Sequence, residues 1–200
     1  MKKSMYLVVS IFLALLFSGC AGSYMVKVPN NVVQPSQEKA TIVFMRSSFV
    51  LAAIGVEVFE VNDGKLSFVG YLGNGSKIAH QTEPGEKVFM AFGGAADFMI
   101  ANVKAGKTYY SIVRPNWGTG GFAPTPIRTD GTSNYNTDMS SFKNWVEKTK
   151  LYTTNPQEAQ EWFVENKEKY VKIYDYYWPR FQTKNNAQIA ERTLNPEDGL

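Results

Sequence analysis

The residues able to do chemistry are few. Cys20 and His80 are the only cysteine and the only histidine of the 200-residue chain. One cysteine excludes an internal disulfide framework and any multi-cysteine zinc site. His80 has no local cluster of metal ligands or carboxylates near it in sequence, so neither a metal site nor a catalytic histidine is assigned to it. Glycoside hydrolysis needs two acids facing one cleft. Glu57 and Glu60, three apart on a strand, point to opposite faces, Glu83 and Glu86 flank a turn, and Asp97 has no visible mate. No catalytic residue, metal ligand or cofactor is therefore assigned, and the chain is read as a non-enzyme. Gly118-Thr119-Gly120-Gly121 lacks the Gly-Lys-Ser/Thr ending of a phosphate loop. Its flanking aromatics, Trp117 and Phe122, are candidate binding residues: they either stack on a sugar or anchor a partner, or they tuck over the open end of a sandwich. Tyr177 and Trp178, in the run Tyr176-Tyr177-Trp178, are a second candidate pair. Three consecutive rings cannot all face one side of a helix, which leaves a docking face as one reading and a wide packed core as the other.

The N-terminus bears on where these groups act. Lys2 and Lys3 precede a thirteen-residue apolar run, Met5 to Phe17, too short for a transmembrane helix of about 20 residues and suited to a secretory signal. Phe17-Ser18-Gly19-Cys20 follows and resembles the bacterial lipobox. The resemblance implies cleavage before Cys20 and acylation there, so the membrane, through acyl chains (palmitate among them) on Cys20, is the first expected partner. Residue 21 is alanine rather than aspartate, which by the same resemblance implies the outer membrane, facing the periplasm. Removing Lys2 and Lys3 takes the formal charge from +3 to +1. A near-neutral chain gives no electrostatic case for nucleic acid as a partner.

The elements that must position the candidates read in order. Residues 1–19 are a lipoprotein signal peptide and 20–39 a lipid-anchored flexible tether, with Pro29, Pro35 and several polar residues. Residues 40–115 show seven short strands separated by turn signals: 41–46, 56–61, one through Leu66, Phe68 and Leu72, 76–82, 87–92, 96–102 and 108–114. Asn62-Asp63-Gly64 and Asn74-Gly75 mark hairpins. The pattern predicts a mainly β fold, an antiparallel seven-stranded β-sandwich (Ig-like or prealbumin-like). Residues 116–138 read as a long loop, and 139–200 as a helical extension whose α-helices pack on the sandwich. Ser140 or Ser141 suits the cap of one helix running to about Lys150, and a longer one starts at Asn155-Pro156. Pro179 should kink or end the second helix, and 185–193 suits a further short one.

Ala40 to Arg46, Asn62-x-Gly64, Leu72, Pro84-Gly85 and Ala105-Gly106-Lys107-Thr108-Tyr109-Tyr110 resemble a widespread, uncharacterised family of bacterial lipoproteins that carry a small β-sandwich domain of unknown function. The likeness covers about residues 40–114, and Leu194 to Gly199 resembles the closing segment of some relatives. It implies no catalytic residues. The function expected from all this is a lipid-anchored envelope module that binds or scaffolds, with an envelope protein or cell-wall glycan as partner. An envelope enzyme acting on glycan or peptide, and a structural subunit of an envelope assembly, are the alternatives.

Overall fold

The computed structural model describes residues 24–200. The signal peptide assigned to 1–19 and Cys20 lie outside the described residues. Eleven strands are described: β1 (Met25–Lys27), β2 (Ala40–Arg46), β3 (Val56–Asn62), β4 (Lys65–Leu72), β5 (Ser76–Thr82), β6 (Gly85–Gly93), β7 (Ala95–Val103), β8 (Thr108–Asn116), β9 (Gly121–Pro126), β10 (Lys150–Thr154) and β11 (Thr193–Leu194). They form a six-stranded sheet ordered β1-β10-β5-β2-β8-β9 and a five-stranded sheet ordered β11-β7-β6-β3-β4. Three helices follow the same chain: α1 (Ser140–Lys148), α2 (Pro156–Gln182) and α3 (Asn186–Ala190).

The fold is mainly β and sandwich-like, and the seven expected strands are β2 to β8. The expectation of seven antiparallel strands needs correcting. Both sheets are mixed, because β2 pairs with β8, β10 with β5, and β11 with β7 in parallel. The extra strands come from segments without strand-like patterning. Within 116–138, β9 reads Gly-Phe-Ala-Pro-Thr-Pro. Its two prolines lack the N–H that a central strand must donate, and the structure uses it at a sheet edge, where that donor is not needed. Within 20–39 the chain is not a free tether from Tyr24 onward. β1 pairs with β10, and the Asn31 side chain accepts from Leu151 N at 2.6 Å and donates to Thr149 O at 3.2 Å.

Why β2 is apolar on both faces is now plain. Ala40, Ile42 and Phe44 face the core between the sheets with Val58, Phe89, Met99 and Tyr109. Val43 and Met45 face outward, where Phe142, Trp145 and Val146 of α1 cover them. On the opposite side α2 lays Phe163, Tyr170 and Phe181 over Phe59, Met90 and Phe98. The molecule is thus a four-layer stack of helix, sheet, sheet and helix. Asn155 and Pro156 start α2 as the sequence predicts, but the helix continues past Pro179 to Gln182. Among the described residues, no helix is long and apolar enough to cross a membrane.

The C-terminal segment straps the stack. β11 adds to β7, and Leu200 exchanges backbone hydrogen bonds with Thr108 in both directions. Asp198 closes the strap. Its carboxylate accepts from Arg128 Nη1 at 3.0 Å, Thr129 N at 3.2 Å and Asn195 N at 2.7 Å.

Candidate functional site

The structure separates the four candidate binding residues. Trp117 stands 74% exposed at the tip of the β8–β9 hairpin. Phe122 is fully buried, with the Arg46 guanidinium 4.5 Å from its ring centroid. It is core and offers nothing to a ligand. Tyr177 and Trp178 are both half-buried on the five-stranded sheet, Trp178 edge-on to Phe98 at 5.0 Å. The ring that turns away from the sheet is Tyr176, 55% exposed.

Among the acids, Glu57 and Glu60 do lie on opposite faces of β3. Glu57 faces α2, where burial raises its pKa against the opposing charge of Lys169. Glu60 faces the inter-sheet space and accepts from Thr82 Oγ1 at 2.8 Å, with His80 Nε2 at 2.6 Å. The sequence showed no partner for His80 because the partner sits on another strand. Burial pushes the Glu60 carboxyl up, but the hydrogen bonds from His80 and Thr82 and the nearby charges more than offset this, so it titrates below the ordinary 4.5. Ionised Glu60 therefore favours the fold: its contribution is complete above about 4.5 and is lost as pH falls below that value through the folded-state pKa. Acid titrations of stability are expected to show the wild-type chain losing its advantage over Glu60→Gln in that window. Parallel curves down to the lowest pH would contradict it.

A different group of residues makes a site. At the seam where β9 approaches β7, a cavity of about 500 Å³ opens beneath the chain that follows β9 and beside α3. Three of the chain's five arginines, Arg114, Arg128 and Arg192, line it, with Thr132, Ser133 and Asn134 among the other wall residues. β8 supplies Arg114, the chain just past β9 supplies Arg128, and the turn between α3 and β11 supplies Arg192.

Two of these cations are committed to the protein. Arg128 pairs with Asp198 and donates to Ala190 O at 2.6 Å. Arg192 Nη2 lies 3.2 Å from Asp97, and its Nη1 donates to Thr125 Oγ1 at 3.2 Å. Asp97 thus gains the partner missing from the sequence, and it also accepts from Asn116 Nδ2 at 2.7 Å. Burial lowers the Arg192 pKa, and the charge of Arg114 lowers it further, opposed by Asp97.

Arg114 is different. Among the described residues no carboxylate lies within salt-bridge distance of it. Its Nη1 reaches only the carbonyl of Pro115 at 3.4 Å, and its buried Nε has no partner. The guanidinium stands over the Tyr135 ring, 4.8 Å from its centroid. A half-buried guanidinium without a carboxylate, at the wall of a polar cavity, is a place for an anion.

Sequence reasoning missed this pocket because its arginines are far apart in the chain and no motif links them. The one available signal is composition. With five arginines against sixteen lysines, arginine is scarce enough that each is worth asking after, since its rigid fork suits buried ion pairs.

No protein-family model matches the sequence, and no curated protein matches it. Among solved structures the chain is similar to an NMR structure of a protein from Eubacterium rectale, 17% identical, covering 45% of this chain and 90% of that one, with a TM-score of 0.29. Among the described residues, no group of three or more His, Cys, Asp or Glu is placed to hold a metal ion.

Proposed function

We propose that this chain is a lipid-anchored lipoprotein of the outer membrane, facing the periplasm, whose folded part is a non-enzymatic binding module. Its ligand site is the arginine-lined pocket. The observation that carries the binding reading is Arg114, a cation without a carboxylate among the described residues, at the wall of an open polar cavity. The lining offers cations, hydroxyls and an amide, the groups that recognise an anion. The likeness to the lipoprotein family over residues 40–114 supports the same cellular setting. We also read the β2–β8 unit as Ig-like or prealbumin-like, on the support that its first and seventh strands, β2 and β8, lie side by side and parallel in one sheet, facing a second sheet that holds β3, β4, β6 and β7.

Anchoring rests on Cys20. The described chain begins at Tyr24, so four peptide steps, at most about 14 Å when fully extended, separate the acylated residue from the domain. A binding module so placed works close to the membrane surface. Labelled palmitate is expected to enter the wild-type chain and not Cys20→Ala. Equal labelling of both would end the lipoprotein reading.

Binding rests on Arg114. A cation kept for a ligand contributes little to the fold, so Arg114→Gln should unfold within roughly 2 °C of wild type, a change below about 1 kcal/mol. A large drop would make Arg114 a structural part and remove the support for a ligand site.

A further inference from the structure

We infer that the arginine-lined pocket takes a singly charged carboxylate carried by a small ligand bearing hydroxyl or amide groups. This rests on the reading of the pocket as a ligand site given above and names the chemistry of its occupant.

The charges decide between anions. Around the cavity, Arg114, Arg128 and Arg192 face the carboxylates of Asp97 and Asp198, with Glu191 on the lining. Asp198 and Asp97 are matched by Arg128 and Arg192, and Glu191 is exposed to solvent, which leaves Arg114 as the one guanidinium for a ligand, so a ligand with two negative charges would leave one unmatched. What is open is one guanidinium, not a net positive field. A monoanion matches that one charge, whereas a phosphate dianion exceeds it.

Geometry narrows it further. The guanidinium stands over the Tyr135 ring, which occupies its face and leaves its edge for hydrogen bonds. Nε is buried and turned from the cavity, Nη1 makes only the long contact to Pro115 O, and Nη2 has no hydrogen bond among the described residues, so the Nη1–Nη2 edge is the one a ligand can reach. The parallel N–H pair along a guanidinium edge matches the two oxygens of a carboxylate in one plane. The rest of the wall reads the body of the ligand. Thr132, Ser133 and Asn134 supply hydroxyl and amide groups, and Ala187 and Ala190 of α3 supply a small apolar patch suited to a methyl group. A volume of about 500 Å³ lies in the range of small-molecule sites and has room for an acylated amino acid or a sugar acid.

The test is titration calorimetry on the full-length protein in detergent. The probes are N-acetyl-D-alanine, N-acetyl-L-alanine and glucuronate, with N-acetylalaninamide and inorganic phosphate as controls. At least one carboxylate is expected to bind, with the uncharged amide and phosphate about tenfold weaker or worse. Arg114→Gln should weaken that binding at least about tenfold. Arg114→Lys, which keeps the charge and loses the fork, should weaken it nearly as much. The melting temperature of each variant shows that it is folded, and Trp117→Ala should bind like wild type. Phosphate or the amide binding as well as the carboxylates, with dependence on Arg114, would overturn the carboxylate assignment and leave the pocket reading standing. No probe bound in an Arg114-dependent way would overturn both. Preference between the acyl-alanines and glucuronate would tell a peptide end from a sugar acid.

Discussion

Asp198→Ala is expected to lower the unfolding free energy by about 3–5 kcal/mol. The Asp198 and Arg128 side chains are 2% and 9% exposed. Taking away the carboxylate leaves a guanidinium buried without its counter-charge, and two backbone N–H groups, of Thr129 and Asn195, lose their acceptor. The damage spreads, because Asp198 sits in the strap that also holds β11 on β7. Denaturant unfolding would register it as a lower midpoint at unchanged slope. The double change Arg128→Met with Asp198→Leu should recover much of the loss, since a buried pair replaced by apolar side chains is often neutral. A loss below about 1 kcal/mol for Asp198→Ala would mean that water reaches Arg128 and relaxes it.

Phe122→Ala should be nearly as damaging, at about 3–5 kcal/mol, while Trp117→Ala should change stability by less than about 0.5 kcal/mol. The two rings bracket the same hairpin and read alike in sequence, yet one is buried and the other is 74% exposed. Truncating Phe122 opens a cavity between the sheets and removes the ring under the fully buried Arg46, whose guanidinium otherwise holds Leu72 O at 3.1 Å and Leu51 O at 2.7 Å. The neighbouring residue explains why Phe122 can enter so deeply. A Cβ on Gly121 would lie 2.3 Å from Ala95 O, so only glycine lets β9 approach β7 this closely. Thermal melts of the two variants decide the matter, and similar losses for both would contradict the burial assigned here.

The strands β2 to β8 were legible because alternation and turn residues act locally. Val88, Met90 and Phe92 share a face whatever the rest of the chain does, and Asn62-Asp63-Gly64 turns wherever it stands. What the sequence hid depends on distant partners. β9 carries prolines that argue against a strand until its edge position is known. β1 and β11 are too short to show a period. The two-sided burial of β2 was readable as a pattern, but not that α1 forms its second cover. The candidate site was hidden for the same reason. Nothing near Arg114 in sequence reveals that it lacks a carboxylate, because the test is what fails to arrive from residues 128–135 and 187–192. Glu60 with His80 and Asp97 with Arg192 were likewise invisible, each pair being made across strands or across the length of the chain.

The order in which the sheets close has a kinetic consequence. β1 is made near the start of the chain, yet its partner is β10, which joins residue 25 to residue 154. β7 must wait for β11 beyond α2. Both pairings span loops whose closure entropy has to be met before any contact rewards it. The chain therefore cannot finish folding in the order in which it is synthesised. The β2–β8 unit can collapse early, but the edges of both sheets stay unpaired until nearly all residues are present. Folding should be slow, and an intermediate with β5 and β7 exposed would be the species most prone to pair with a second copy.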